Sequence, residues 1–326
     1  GSITLNPGES QEYTVTYAPD LDTENLGYQE ASLSIISNDD LNPTFDIGLH
    51  ALKKAGGSGQ NEPALQDVVD ALGIGIDVGW TTLTNTTSAE LQGEEVDVSL
   101  WVKATEAPIN VTPVGRYSPG ELLPFGWYTE NNGEIVLNEV GVLDEGATNA
   151  QTLFPPIVSG DGLFDPLGAV FGFYVRSNFF NRTNYTGDLL NNGDIRRARV
   201  YPISDRIGNP VENSYLITFE DANNGDYQDY MFIIDNVIPF EDGSLVLNFD
   251  NDNFEFEAAI GQADIPTQEL TISANTGISA SEIVLTGSEP WIVLPETFEM
   301  NTPFDVGVDI TGLPVGSYDA TISASA

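Results

Sequence analysis

Between Glu220 and Asp229 the chain gathers four carboxylates, Glu220, Asp221, Asp226 and Asp229, with Asn223 and Asn224 among them. Two apolar, β-prone runs, Tyr215–Phe219 and Tyr230–Ile234, flank this stretch, so it reads as the long loop of a hairpin. Carboxylates held this close repel one another unless a positive charge sits between them. Hard oxygen donors at short spacing suit Ca²⁺, with the Asn side chains and backbone carbonyls completing a shell of six to eight oxygens. The spacing is not that of an EF-hand loop and no helices flank it. Asp226 and Asp229, three apart across a Gly-led turn, are placed to converge on one ion. Glu220 and Asp221 are adjacent, so in ideal alternation they point opposite ways and only one of them is a ligand. The competing reading is a solvated acidic loop in an acidic protein.

Two further groups of residues carry recognition chemistry. All seven arginines lie between Arg116 and Arg206. Alternation sets Arg197 and Arg199 on one face with Tyr201, and Arg196 on the other with Ala198 and Val200. Forked guanidinium bonds from Arg197 and Arg199 would suit a carboxylate- or sulfate-bearing ligand. With 50 acidic residues in the chain, pairing with the protein's own carboxylates is the stronger expectation. Trp127, Tyr128 and Tyr185, set among Asn and Gly residues, are the aromatic candidates for stacking on a sugar. Catalysis has little to work with. The chain has no Cys and one His, His50, outside the central region, which excludes thiol and His-dependent triads and His-ligated metals. Neither a phosphate-binding glycine loop nor a dinucleotide fingerprint is present. Only a glycosidase-type carboxylate pair stays open, and among so many acids such pairs arise by chance.

A resemblance rests on the same loop. Phe219-Glu220-Asp221, followed by Gly225-Asp226-Tyr227-Gln228-Asp229-Tyr230 and Phe232, resembles the "FED…GDxxDxxF" signature of a β-sandwich domain of secreted bacterial proteins and large repetitive adhesins. Phe171-Gly172-Phe173-Tyr174-Val175 resembles an earlier strand of that domain, and Asp229-Tyr230-Met231-Phe232 departs mildly from its usual Asp-Leu-Val-Phe ending. The domain has no assigned function. The resemblance implies an extracellular or cell-surface location, and because the signature centres on Asp221, it favours Asp221 over Glu220 as the ligand.

Charge narrows the partners. Fifty Asp and Glu against ten Lys and Arg give a formal charge of −40, which argues against nucleic acid and anionic membranes. Such self-repulsion keeps the protein soluble but opposes compaction, and bound cations or a saline exterior would relieve it. The absence of cysteine removes any disulfide framework.

Taken in order, the chain reads as an all-β protein: immunoglobulin-like modules flanking a larger β-sandwich with one short helix. Residues 1–55 promise strands at Ile3–Leu5, Tyr13–Tyr17, Ala31–Ile36 and Thr44–Leu49, and resemble the second half of a bacterial immunoglobulin-like module. Lys53–Gln60 has linker composition, with the linker set at 56–62. In Pro63–Gly73, Leu65, Val68, Val69 and Leu72 follow helical spacing, with Gly73 as the stop. Residues 63–262 form the sandwich, with strands expected at Val96–Lys103, Ile109–Tyr117, Gly133–Val142, Val170–Val175, Ile195–Tyr201, Tyr215–Phe219, Tyr230–Ile234, Ser244–Phe249 and Phe254–Ala258. Residues 263–326, with Trp291-Ile292-Val293 and the Gly312–Tyr318 turn, resemble a second immunoglobulin-like module. Both end modules are short of strands, so copies of the chain or neighbouring modules are expected to complete them by strand addition. The functional expectation is a non-enzymatic extracellular structural or adhesive module of a bacterial surface protein or fibre, with calcium as its cofactor. The alternative is a carbohydrate-binding module of a secreted polysaccharide-degrading system, with a glycan as partner.

Overall fold

A computed structural model describes residues 3–20, 24–56, 61–84, 90–131, 134–144, 151–191, 196–240, 247–251, 253–262, 264–274 and 280–325. The protein is all-β with one α-helix among the described residues. The chain opens with β1 (Gly27–Ile36) and β2 (Thr44–Lys53), an antiparallel ribbon in full register from Gly27↔Lys53 to Ile36↔Thr44. Then comes α1 (Leu65–Leu72), which buries Leu65, Val68 and Val69 and ends at Gly73. Gly73 has φ +79°, the left-handed conformation that a helix stop of this kind needs.

The central strands are β3 (Trp101–Lys103), β4 (Ile109–Tyr117), β5 (Leu123–Asn131), β6 (Glu134–Leu143), β7 (Gln151–Leu153), β8 (Ile157–Gly160) and β9 (Leu163–Phe164). They continue with β10 (Gly172–Ser177), β11 (Arg182–Tyr185), β12 (Ala198–Ser204), β13 (Pro210–Phe219), β14 (Tyr230–Asp235) and β15 (Val237–Pro239). One sheet has the order β11-β10-β5-β6-β8 and the other β12-β13-β14-β4-β7, with β9 paired to β4. Their facing sides share one core, which includes Phe125, Val140, Phe173, Val175, Val200, Ile217, Phe219 and Phe232.

The second sheet is covered on its other face too. Leu65, Val68 and Val69 of α1, then Ile74, Ile76, Val78 and Trp80, pack on Val114, Tyr201, Leu216, Tyr227 and Met231 to make a second core. Burial on both faces is why Tyr215–Phe219 and Tyr230–Ile234 are nearly continuous apolar runs rather than alternating ones. The expected strand at Val96–Lys103 forms only as Trp101–Lys103. Before it the chain crosses between the sheets: the Val96 N–H donates to the Val200 carbonyl at 2.9 Å, and Trp101 pairs with Phe171.

The ends of the chain depart from expectation. Ile3–Leu5 and Tyr13–Tyr17 form no strands and are exposed, so among the described residues the first module has two strands where four are expected. Lys53, expected in the linker, closes β2 and is buried, its Nζ donating to the Glu24 carbonyl at 2.7 Å. Residues 57–60 of that linker lie outside the described residues. His50 lies 5.9 Å from Tyr28, ring centroid to ring centroid, a structural role at the base of the ribbon. Farther on, β16 (Leu247–Phe249), expected in the sandwich, pairs with Ile272–Ala274, and Phe254 and Phe256 pack on the third core around Leu270, Ile272 and Val306. Phe254–Ala258 forms no strand. Among the described residues no helix is long and apolar enough to cross a membrane.

Candidate cation site

The loop from Glu220 to Asp229 is bounded by the Phe219↔Tyr230 pair, the last rung of the β13–β14 ladder. Backbone bonds pin both of its ends to the sheet. The Glu220 N–H donates to the Arg197 carbonyl at 2.9 Å, and the Tyr117 N–H donates to the Asp229 carbonyl at 3.1 Å. Inside the loop the carboxylates fold back onto backbone donors. The Asp221 N–H donates to Asp229 Oδ2 at 2.6 Å, and the Asp226 N–H to Glu220 Oε2 at 2.9 Å. Tyr227 sits at φ +57°, an unfavourable angle for an aromatic residue. It is fixed by its OH, which donates to the Arg196 carbonyl at 2.9 Å, and by its ring, which lies beneath the Arg199 guanidinium.

These constraints bring Glu220, Asp226 and Asp229 together. One oxygen from each lies within 4.8 Å of the others, and all three residues are buried, at 0%, 1% and 6% exposure. Glu220 Oε1 and Asp226 Oδ1 have no hydrogen-bond partner, although burial normally forces every polar atom to find one. Neither polar atom of the Gln228 side chain, also fully buried, makes a hydrogen bond of good geometry, yet its amide lies close enough to Asp226 to favour the charged carboxylate. The group is an all-oxygen donor set able to hold a metal ion.

Burial, then the charge of Glu220, pushes the Asp226 carboxyl up to about 8. Burial, with Asp226 and Glu220 as neighbours, holds Asp229 well above the ordinary carboxylate range. Burial raises Glu220 as well, against the opposing pull of the Tyr227 and Asp226 N–H groups and the Arg197 charge. Three buried carboxylates cannot all stay charged without a counter-charge.

Asp221 is not part of this group, which corrects the choice made on the signature. It points the other way, as alternation requires: the Asn184 amide donates to its Oδ1 at 3.1 Å and the Tyr230 hydroxyl to its Oδ2 at 2.7 Å. Glu220 shares its side of the strand with Leu216 and the second core, whereas Asp221 follows Phe219 toward the first. Asn224 supports the site indirectly, its amide donating to Asp226 Oδ2. Asn223 accepts from Arg197 Nη2 at 2.7 Å.

The arginines turn inward. Arg197 clamps the loop through the carbonyls of Glu220 and Ala222 as well as Asn223. Arg199 is fully buried and pairs with Glu95, which also takes Arg196 Nη1 at 2.7 Å. Alternation across 196–201 holds, with Ala198 and Val200 in the first core and Tyr201 in the second. The aromatics are not assembled into a platform. Tyr128 is buried, Tyr185 meets it edge-on at 5.2 Å, and Trp127 stacks on Phe164 at 5.4 Å against the first core. Sequence reasoning missed Gln228, whose only signal was its place between Asp226 and Asp229. It also missed Glu121, a buried carboxylate that accepts the Ser177 hydroxyl at 2.8 Å and the Phe179 N–H at 2.6 Å beside Asp221.

Compared with family models, curated proteins and solved structures, the chain finds no match. Its functional reading therefore rests on the residues themselves.

Proposed function

We propose that the chain is a non-enzymatic structural module whose β13–β14 loop is held by a Ca²⁺ ion bound to Glu220, Asp226 and Asp229, with the Gln228 amide oxygen as a further ligand. The observation that carries this reading is the convergence of three buried carboxylates, two of which each keep an oxygen without a hydrogen-bond partner. Calcium is favoured over magnesium because a closed, buried set of protein oxygens strips the ion of water, which Mg²⁺ resists and Ca²⁺ tolerates. The role is read as structural because all three donors are buried.

A closed ion site, a two-sided sandwich and a charge of −40 together suit a soluble, rigid building block of an extracellular or cell-surface assembly, where free calcium is plentiful. Adhesion or fibre formation is the function proposed for the whole. The carbohydrate reading draws less support, since Trp127 is taken up by Phe164 against the first core, while Tyr128 is buried with Tyr185 edge-on to it, so the three rings present no common stacking face.

Calorimetric titration of chelator-stripped protein with CaCl₂ tests the site. One ion per chain is expected, lost in Glu220→Gln. No binding heat and no competition by chelator in the wild type would sink the proposal.

A further inference from the structure

The β1–β2 ribbon is two-faced. On one side the cross-strand pairs are Ala31↔Leu49, Leu33↔Ile47 and Ile35↔Phe45; on the other they are Glu30↔His50, Ser32↔Gly48 and Ser34↔Asp46. Only the base of the ribbon is anchored, where the Tyr28 N–H donates to Asp67 Oδ1 at 3.3 Å and Lys53 is buried. Beyond it the apolar stripe stands in solvent, with Ile35 at 47% and Phe45 at 63% exposure. Among the described residues neither strand has a second neighbour, so both edges of the ribbon are open to another strand. A two-stranded ribbon alone is marginal in water, and open edges of this length invite another strand.

A donor of matching pattern lies in the same chain. Tyr13, Val15 and Tyr17 alternate with Thr14 and Thr16, all exposed and none in a strand. We propose that residues 12–17 of one copy add as a strand to the β1–β2 ribbon of a second copy, in reciprocal exchange, laying Tyr13, Val15 and Tyr17 beside the apolar stripe.

Three features favour a second copy as the occupant. Among the described residues neither the donor segment nor the ribbon edges pair with another strand. Tyr13–Tyr17 carries no charge, so the strand that would be added brings no further like charge of its own to the ribbon of a chain at −40. The two ten-residue strands and the six donor residues 12–17 come to 26 residues, within the roughly 20–30 per side of a stable interface. Reciprocal exchange closes the pair under two-fold symmetry.

Sedimentation of the full chain over a wide range of micromolar concentrations tests this. A species of twice the 35.1 kDa chain mass is expected. Val15→Pro, which removes a donor N–H, and Phe45→Glu, which charges the stripe, should each halve the mass while leaving the calcium response intact. Because the chain has no cysteine, the double variant Val15→Cys/Ile35→Cys should give a covalent dimer on oxidation. A monomer at every concentration, a disulfide closed within one chain, or a dimer that survives both Val15→Pro and Phe45→Glu would overturn the proposal. The first outcome assigns the ribbon to a neighbouring module and the second to the chain's own segment.

Discussion

The Asp226 N–H donates to Glu220 Oε2 at 2.9 Å, which folds the Glu220 carboxylate back across its own loop and holds it where one of its oxygens lies within 4.8 Å of an oxygen of Asp226 and of Asp229. A backbone bond thus holds one acid against two others in a place that water does not reach. The arrangement is unfavourable on its own, and the proposed divalent cation would relieve it.

The ion-free protein should lose stability as pH rises. The carboxyls of Asp226, Asp229 and Glu220 are raised in the fold above their unfolded values. Between the unfolded value near 4 and the Asp226 value of about 8, the folded state therefore binds more protons than the unfolded state. Their stability contribution is complete below the lower limit and is lost as pH climbs through the upper one. Chelator-treated protein melted at stepped pH should show a falling midpoint across that window, and saturating calcium should flatten the fall. A midpoint that rises across it without calcium would contradict the burial of these groups.

Neutralising one ligand separates repulsion from binding. Glu220→Gln keeps the shape and an acceptor for the Asp226 N–H but removes a charge. Without calcium its melting point should equal or exceed that of the wild type, and with calcium the wild-type gain should be absent. Urea unfolding in chelator and in calcium reads both. A Glu220→Gln protein that still gains as much from calcium as the wild type places the ion elsewhere.

Arg197→Met should destabilise the protein by about 2–4 kcal/mol, because it strands loop acceptors that the guanidinium now satisfies. Were Arg197 reserved for an outside ligand, the same change would cost less than about 0.5 kcal/mol, as surface substitutions do. Urea unfolding at fixed calcium distinguishes the two.

Glu95→Gln leaves two buried guanidinium groups, those of Arg196 and Arg199, short of their shared counter-charge. A loss of about 3–5 kcal/mol is expected by equilibrium unfolding. A change within about 0.5 kcal/mol would mean that Arg199 is balanced by its stacking on Tyr227 and Trp80 instead.

Local pattern made much of this legible. Tyr215–Phe219 and Tyr230–Ile234 declared a hairpin with its acidic loop between them, and helical spacing with Gly73 placed α1 to within two residues. Alternation foretold that Glu220 and Asp221 part company but not which side holds the acids, since both faces of β13 are buried and the choice depends on Tyr227 and Asn184, distant in sequence from each other. Val96–Leu100 shows the same limit: its clean alternation forms no ladder among the described residues, because Val96 bonds to Val200 of β12 and the chain then leaves that strand. Tyr13–Tyr17 alternates as well, yet a strand needs a neighbour, and among the described residues none pairs with it.

Thermal melting of the full chain against free calcium, from excess chelator to millimolar Ca²⁺, tests the central claim most directly, with Asp226→Asn as its partner. A native-state site predicts a midpoint that climbs steadily with the logarithm of free calcium, by about 2.7 kcal/mol of stability at a hundred times the dissociation constant. Asp226→Asn should start at or above the wild-type midpoint in chelator and stay there. A wild-type midpoint indifferent to calcium over the whole range would contradict the account and leave Glu220, Asp226 and Asp229 as acids that the fold keeps protonated.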